Sequence, residues 1–145
     1  MSLPTGTYVI QRSSFQAQEP LFITLPDGRE GAPATVLPPR DNPEEQEWEI
    51  KRSSDGRYTI GNNKAEKYLG FGGNPEFNKR IVATGKPQEW EFRPFNGPFG
   101  LLLVPVDGPK LVVDVAPATV YPPLLALMPL REGDDRQAWQ FIRRN

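Results

Sequence analysis

The sequence predicts an all-β domain in which one four-strand unit occurs three times along the chain. The 13 Gly and 17 Pro are spread along the chain and divide it into many short segments, as is typical of all-β domains. No stretch shows sustained helical periodicity with capping residues at its ends. The chain has 145 residues, the length of one ordinary domain, so we predict a single domain over residues 1–145.

A Q-x-W motif closes each of the three copies. The motifs begin at Gln46, Gln88 and Gln137, and their Trp residues, the only three in the chain, lie 42 and 49 residues apart. Two residues after each Trp stands Ile50, Phe92 or Phe141. Because side chains alternate between the two faces of a strand, each Trp and its partner share one face. We therefore predict that the three Trp side chains pack in the core.

Each copy opens on a turn signal followed by a β-like run, and two more β-like runs precede its Q-x-W motif. The opening runs begin at Tyr8, Tyr58 and Phe99. The further runs are Leu21–Leu25 and Ala34–Leu37, Tyr68–Phe71 and Arg80–Ala83, and Lys110–Val115 and Leu124–Met128. The copies are predicted to span 6–52, 57–95 and 98–145, with four strands each. One such unit cannot bury its apolar face alone, and three units are too few for a propeller. The prediction is a twelve-stranded β-trefoil, a three-fold barrel capped by hairpins.

Composition argues against catalysis. The chain has no Cys and no His, which excludes disulfides, thiolate zinc sites, a cysteine nucleophile and a Ser-His-Asp triad within it. No side chain has an unperturbed pKa near neutrality. We expect a binding protein that is not an enzyme and needs no cofactor or metal.

Charge and hydropathy restrict the classes of partner that the protein is expected to bind. The formal net charge is −1, and the basic pair Arg143-Arg144 is too short for a nucleic-acid-binding stripe. No apolar run is long enough to span a bilayer, and the N-terminal residues lack the regions of a signal peptide. We expect a cytoplasmic monomer that binds neither nucleic acid nor membrane.

The triplicate Q-x-W resembles that of the ricin-B-type lectins. In those lectins a sugar pocket uses an early Asp, an aromatic platform and a nearby Asn or Gln in each competent copy. The candidates here are Asp27 and Asp41 in copy one, Phe77 with Asn74 and Asn78 in copy two, and Asp114 and Tyr121 in copy three. No copy shows the whole constellation, so carbohydrate binding is the alternative function.

Several longer stretches resemble another group. They are Leu3–Ile10, Gln46–Ile50, Ser54–Ile60, Pro87–Trp90 and Ala138–Phe141. Together they resemble the fungal β-trefoil serine protease inhibitors of the cospin type, and the fungal clitocypin and macrocypin inhibitors of cysteine proteases share many of them. The resemblance implies a monomeric inhibitor that presents a preorganised loop to a protease active site.

The resemblance also implies where that loop lies. In the serine protease inhibitors the reactive residue sits between the second and third strands, which here is the loop 26–33. Arg29 would suit the acidic S1 pocket of a trypsin-like protease, and Asp27 or Gly28 could hold the primary position instead. Glu30 completes the candidate inhibitory loop. The same residues, Pro-Asp-Gly-Arg, also make a good hairpin turn.

A second loop is implied by the clitocypin type, in which an Asn between the fifth and sixth strands addresses legumain. Here that loop is 61–67, and it offers Asn62 and Asn63. An Asn-Asn pair also tolerates the left-handed backbone of a turn. The main prediction is thus an inhibitor of a trypsin-like serine protease, and inhibition of a cysteine protease or legumain is a further alternative.

Overall fold

Twelve strands form in the order that the sequence predicts. The computed structural model describes residues 3–12, 20–95, 100–117 and 120–144, and the strands are counted within them. In chain order they are β1 (Gly6–Arg12), β2 (Phe22–Thr24), β3 (Thr35–Leu37), β4 (Trp48–Ser54), β5 (Arg57–Asn62), β6 (Lys67–Gly70), β7 (Val82–Thr84), β8 (Trp90–Pro94), β9 (Gly100–Pro105), β10 (Leu111–Val115), β11 (Leu125–Pro129) and β12 (Trp139–Arg144). Phe99, where the opening run of copy three is predicted to begin, lies outside the described residues.

Six of the strands close into a barrel. Antiparallel pairing runs from β1 to β4, β5, β8, β9 and β12, and β12 pairs with β1 again. The remaining strands form three hairpins, β2–β3, β6–β7 and β10–β11. A closed barrel leaves no unpaired edge within its own ring of strands. The predicted β-trefoil, with four strands in each copy, is confirmed.

The three hairpins are joined by a ring of backbone hydrogen bonds. The amide of Ala34 donates to the carbonyl of Ile81 (3.0 Å), that of Ile81 to Leu125 (2.9 Å), and that of Leu125 back to Ala34 (3.4 Å). The ring also explains why β7 begins later than predicted. Arg80 and Ile81 bond to the neighbouring hairpin strand β11 and so precede the ladder with β6.

The three Trp side chains are completely buried, as predicted. The indole Nε1 atoms of Trp48, Trp90 and Trp139 donate to the backbone carbonyls of Ile23, Leu69 and Val113, each at 3.0 Å. Each bond ties the last strand of a copy to its second strand. A buried indole N–H needs such a partner, and the same solution appears in all three copies.

The connection before each Trp differs among the copies. It has ten residues in copy one and nine in copy three, and each of these contains a short 3-10 helix, Pro43–Glu45 or Asp135–Gln137. Copy two has five residues between β7 and Trp90, with no helical turn among them. This shorter connection changes the surroundings of the Gln in the Q-x-W motif.

Candidate functional site

Gln46 and Gln137 are buried and hydrogen-bonded inside the fold. The Gln46 side-chain amide donates to the Thr24 hydroxyl (3.1 Å) and to the Pro38 carbonyl (2.8 Å). The Gln137 amide donates to an Asp114 carboxylate oxygen (3.2 Å) and to the Pro129 carbonyl (2.9 Å), and its own oxygen accepts from the backbone of Arg131. In copies one and three this side chain fixes the connection to the hairpin.

Gln88 of copy two is half-buried, and its side chain makes no hydrogen bond within the described part of the chain. Thr24 and Asp114, the partners in the other copies, directly follow the residue whose carbonyl accepts from Trp; in copy two that position is Gly70. A side chain at Gly70 would meet Cβ of Gln88 and Oγ1 of Thr84, each at 3.0 Å. The partner is absent, and the Gln88 amide is left available to a ligand.

Gln88 borders an open cleft between the hairpin β6–β7 and the short connection that follows it. The cleft encloses about 680 Å³ and is lined by the segments 71–73 and 84–88 together with Glu30. An adjoining pocket of about 320 Å³ shares Phe71, Gly73, Pro87 and Gln88 with it and adds Asn74 and Asp107 among others. We call the larger space the Gln88 cleft. The Gln88 amide is the polar side chain common to both spaces.

The walls of the Gln88 cleft combine exposed backbone with a few polar groups. Gly72 and Gly73 are exposed, and a Cβ on Gly72 would meet no atom within 4 Å, so a ligand can reach the main chain there. The Thr84 hydroxyl donates to the Lys86 carbonyl (2.8 Å), which holds the connection in place. The ring of Phe71 packs edge-on against Trp90 at 5.7 Å between centroids and gives the cleft an apolar floor.

The predicted inhibitory loop is a tight turn held against copy two. The Gly31 amide donates to the Ala83 carbonyl, and the Ala83 amide donates to the Ala32 carbonyl, both at 2.8 Å. Gly28 lies so close to the other predicted loop that an added Cβ would stand 2.7 Å from Cβ of Ala65. The two loops therefore touch, and Glu30 lies at the edge of the Gln88 cleft.

Arg29 is exposed but is paired with a neighbour in its own loop. Its side chain is 86% exposed, and its Nη2 lies 2.6 Å from Oδ2 of Asp27. Asp27 also accepts from the Arg29 backbone amide at 3.0 Å. Hydrogen bonding from the Arg29 side chain lowers the pKa of Asp27, and the same bond raises the pKa of Arg29. A protease would have to draw the guanidinium away from this carboxylate.

In the second predicted loop, Asn62 is buried and Asn63 is exposed. Asn62 is only 2% exposed; its amide donates to the Glu44 carbonyl at 3.0 Å, and its oxygen accepts from the Ala65 amide at 2.9 Å. Asn63 is exposed. Asn62 thus holds the loop in shape, and Asn63 is the residue of the pair that a partner can reach.

The ricin-B-like candidates of copies one and three do not form a site, whereas Asn74 of copy two lines the pocket that adjoins the Gln88 cleft. Asp114 is buried, and its carboxylate accepts from Arg131 (3.1 Å), Gln137 and the Val115 amide, so it has no free side towards a ligand. Tyr121 and Phe77 are 81% and 64% exposed. Asp27 is bonded to Arg29, and Asp41 is exposed. Sequence reasoning missed Gln88 as a ligand contact: Gly70 is visible in the sequence, but the structure is needed to show that it takes the place of Thr24 and Asp114.

The charged cluster around Asp134 is engaged in the fold. Asp134 caps the 3-10 helix Asp135–Gln137, and hydrogen bonds from Arg136 and then Arg131 lower the pKa of its carboxyl well below the ordinary range.

Among the described residues, no group of three or more Asp or Glu side chains is placed to hold a metal ion. In the same part of the chain there is no helix with the length and apolarity that a membrane crossing requires.

Several solved structures share this fold. The Rhizoctonia solani agglutinin superposes with a TM-score of 0.83 at 20% identity, over 99% of both chains. The Macrolepiota procera ricin B-like lectin, solved in complex with lactose, gives 0.81 at 20% identity, over 99% of this chain and 100% of the lectin. ThreeFoil, a designed 3-fold symmetric protein, gives 0.81 at 16% identity, over 96% and 99%.

These likenesses establish the fold and nothing finer at such identities. The chain is a β-trefoil whose structural neighbours include ricin B-like lectins. No protein-family model matches the chain, and no curated protein sequence is significantly similar to it. The finer resemblance to cospin-like inhibitors stays a prediction.

Proposed function

We propose that the protein is a carbohydrate-binding β-trefoil and that its binding site is the Gln88 cleft. One observation carries this proposal: the Gln of the Q-x-W motif is bonded internally in copies one and three, whereas in copy two it is half-exposed and bonds to none of the described residues. A polar side chain that the fold does not use, at the edge of a cleft, is a candidate for ligand contact. Carbohydrate binding, and no longer protease inhibition, is therefore the main proposed function.

The chemistry of the cleft suits a polyhydroxylated ligand. A Gln amide offers two donors and an acceptor, so it can bond two adjacent hydroxyl groups of a sugar ring. The exposed main chain at Gly72 and Gly73 adds further donors and acceptors, and the Glu30 carboxylate adds strong acceptors. The volume of about 680 Å³ lies within the ordinary range for small-molecule sites. The lactose complex of the Macrolepiota procera lectin gives independent support for carbohydrate as the ligand class.

Gln88→Ala is expected to weaken saccharide binding at least roughly tenfold without lowering the unfolding temperature. The side chain makes no bond inside the described fold, so its loss costs ligand contacts alone. The measurement is retention on a printed array of defined saccharides and on immobilised lactose, followed by titration with the best soluble ligand. Gln140→Ala, an outward-facing Gln on β12, is the matched control and should bind like the parent. If the parent retains no saccharide, or Gln88→Ala binds as the parent does, the proposal is wrong.

A second candidate function, inhibition of a trypsin-like protease, has a specific observation in its favour. The loop 26–33 is fixed by two backbone bonds to Ala83, and it displays the exposed Arg29 at its surface. A loop that is already ordered loses little entropy when it enters a protease cleft. Asn63, exposed on the adjoining loop, is the corresponding proposal for legumain.

For this second function, Arg29→Ala and Arg29→Glu are each expected to abolish inhibition of trypsin. The physical reason is that the S1 pocket of trypsin holds an acidic residue, so a neutral or acidic side chain loses the ion pair. The measurement is residual trypsin activity against inhibitor concentration. Arg52→Ala is the control, because Arg52 is also exposed and also pairs with a nearby carboxylate, Asp55 at 2.6 Å. Full potency in both Arg29 variants would show that another residue makes the primary contact.

A further inference from the structure

A second depression lies beside the Gln88 cleft, where the outer wall of the barrel continues into the hairpin β6–β7. It is a groove of about 310 Å³ that crosses strands β4, β5 and β6. Glu49, Gly61, Tyr68 and Thr84 stand opposite one another in successive strand pairs from β4 to β7. Directly opposed residues in antiparallel strands share a face. The core side of the same strands is filled instead by Ile50, Ile60, Leu69 and Ala83.

Gly61 creates the groove by leaving a gap in this outward-facing row. A Cβ at position 61 would meet the Tyr68 ring at 3.4 Å, an ordinary contact, and the backbone there is not in the left-handed region that favours glycine. Glycine inside a strand weakens it, and it often marks a place where a ligand or another chain approaches the backbone closely. Since the fold does not require glycine at this position, the gap that Gly61 leaves is open to a ligand.

The walls of the groove offer the two kinds of contact that a sugar needs. Tyr68 is half-buried and leaves part of its ring at the groove, where the C–H face of a sugar can pack. Glu49, Thr59 and Asn63 line the groove with donors and acceptors for hydroxyl groups. The Nζ atom of Lys51 lies 3.6 Å from Oε1 of Glu49, so the groove carries both a cation and a carboxylate.

The groove and the Gln88 cleft meet at Tyr68 and Thr84. Thr84 lines the cleft, it stands opposite Tyr68 in the strand pair β6–β7, and its hydroxyl lies 3.3 Å from the Tyr68 carbonyl. Neighbouring strands are about 4.8 Å apart, so Gly61 and Thr84 are separated by roughly 10 Å across the sheet. A ligand of two or more sugar residues can therefore extend from one space into the other over the Tyr68 ring.

We propose that the groove at Gly61 and Tyr68 is a second subsite for the same ligand, and that this ligand is an oligosaccharide. The inference rests on the proposed function of the Gln88 cleft. One sugar residue binds at Gln88, and a neighbouring residue packs against Tyr68 above the backbone of Gly61. The second contact makes affinity depend on the length of the saccharide, which a single-residue site would not do.

The test is Gly61→Val, which fills the groove and leaves the Gln88 cleft unchanged. Valine suits a strand, so the variant should unfold at or above the temperature of the parent. The probes are a printed array of mono-, di- and tetrasaccharides, and then titration with soluble saccharides that share one terminal residue. The parent should bind the tetrasaccharide at least roughly tenfold more tightly than the monosaccharide, a difference of about 1.4 kcal/mol. Gly61→Val should bring the two affinities to within about twofold, by loss of that contact.

The other outcomes separate the two proposals. Gln140→Val places the same side chain on the outer face of β12 and should keep the parent's length dependence. Gln88→Ala should weaken binding of saccharides of every length. If Gly61→Val keeps the length dependence while Gln88→Ala loses binding, the second subsite is wrong and the proposed function stands. If the parent binds no saccharide of any length, both proposals are wrong.

Discussion

Trp48→Ala is expected to lower the free energy of unfolding by about 3–5 kcal/mol, the usual loss when a buried Trp or Phe is truncated. Trp48 is completely buried, and its indole donates to the Ile23 carbonyl at 3.0 Å. Truncation therefore leaves a cavity in the shared core and a buried carbonyl without its donor. Domains of this kind are stable by only about 5–15 kcal/mol, so the loss is a large part of the total.

Denaturant unfolding followed by circular dichroism measures this effect. Trp48→Phe weighs the two causes against each other, because it keeps an aromatic ring and most of the buried volume while it removes the N–H donor, with an expected cost of about 1–3 kcal/mol. Ile142→Ala is the control, since Ile142 is an exposed apolar residue on β12 and should change stability by less than about 0.5 kcal/mol. A loss below about 1 kcal/mol in Trp48→Ala would contradict the assignment of the Trp residues to the core.

The core could be predicted from the sequence because the Trp residues obey a rule that every copy repeats. Trp48, Trp90 and Trp139 each begin the closing strand of a copy, and each bonds to the second strand of the same copy. Alternation of side chains along a strand was enough to place them inside. The strand order followed from the same repeat, since three incomplete units must share one core.

The site could not be predicted in the same way, because it depends on where one copy departs from the others. Gln88 stands in the same motif as Gln46 and Gln137. Whether its side chain finds a partner in the fold depends on Gly70, which lies in a different strand, and on the length of the connection before Trp90. Likewise, the sequence does not show that Arg29 pairs with Asp27 or that Asn62 is buried. Such facts depend on which side chains meet in space, and the sequence period carries no information about them.

Asp114 and Arg131 form a pair whose two members have unequal burial. The carboxylate of Asp114 is almost fully buried, while the Arg131 side chain is about half exposed and lies 3.1 Å away. A buried charge is costly when its partner is removed, whereas an exposed guanidinium can return to water. Arg12 Nη2 lies 3.9 Å from the same carboxylate, and Arg136 is also near enough to interact with its charge. The effect of neutralising Asp114 should therefore depend on whether Arg131 is present.

We expect Arg131→Ala to cost about 2 kcal/mol of stability, because it removes charge-assisted hydrogen bonds to both Asp134 (2.8 Å) and Asp114 (3.1 Å). We expect Asp114→Asn alone to cost about 1–2 kcal/mol, because it removes the charge from the second of these bonds. In the Arg131→Ala background the sign should reverse, because the neutral amide is cheaper to bury than a carboxylate that has lost its partner. The double variant should then be more stable than Arg131→Ala, as measured by denaturant unfolding.

Arg52→Ala, which removes an exposed ion pair, should cost less than about 1 kcal/mol. If the Asp114 and Arg131 effects add to within about 0.5 kcal/mol, the two residues are not coupled. A confirmed sign reversal would show that Asp114, which also accepts a hydrogen bond from Gln137, belongs to a stabilising charged network in copy three. Gln88 of copy two bonds to no such network among the described residues.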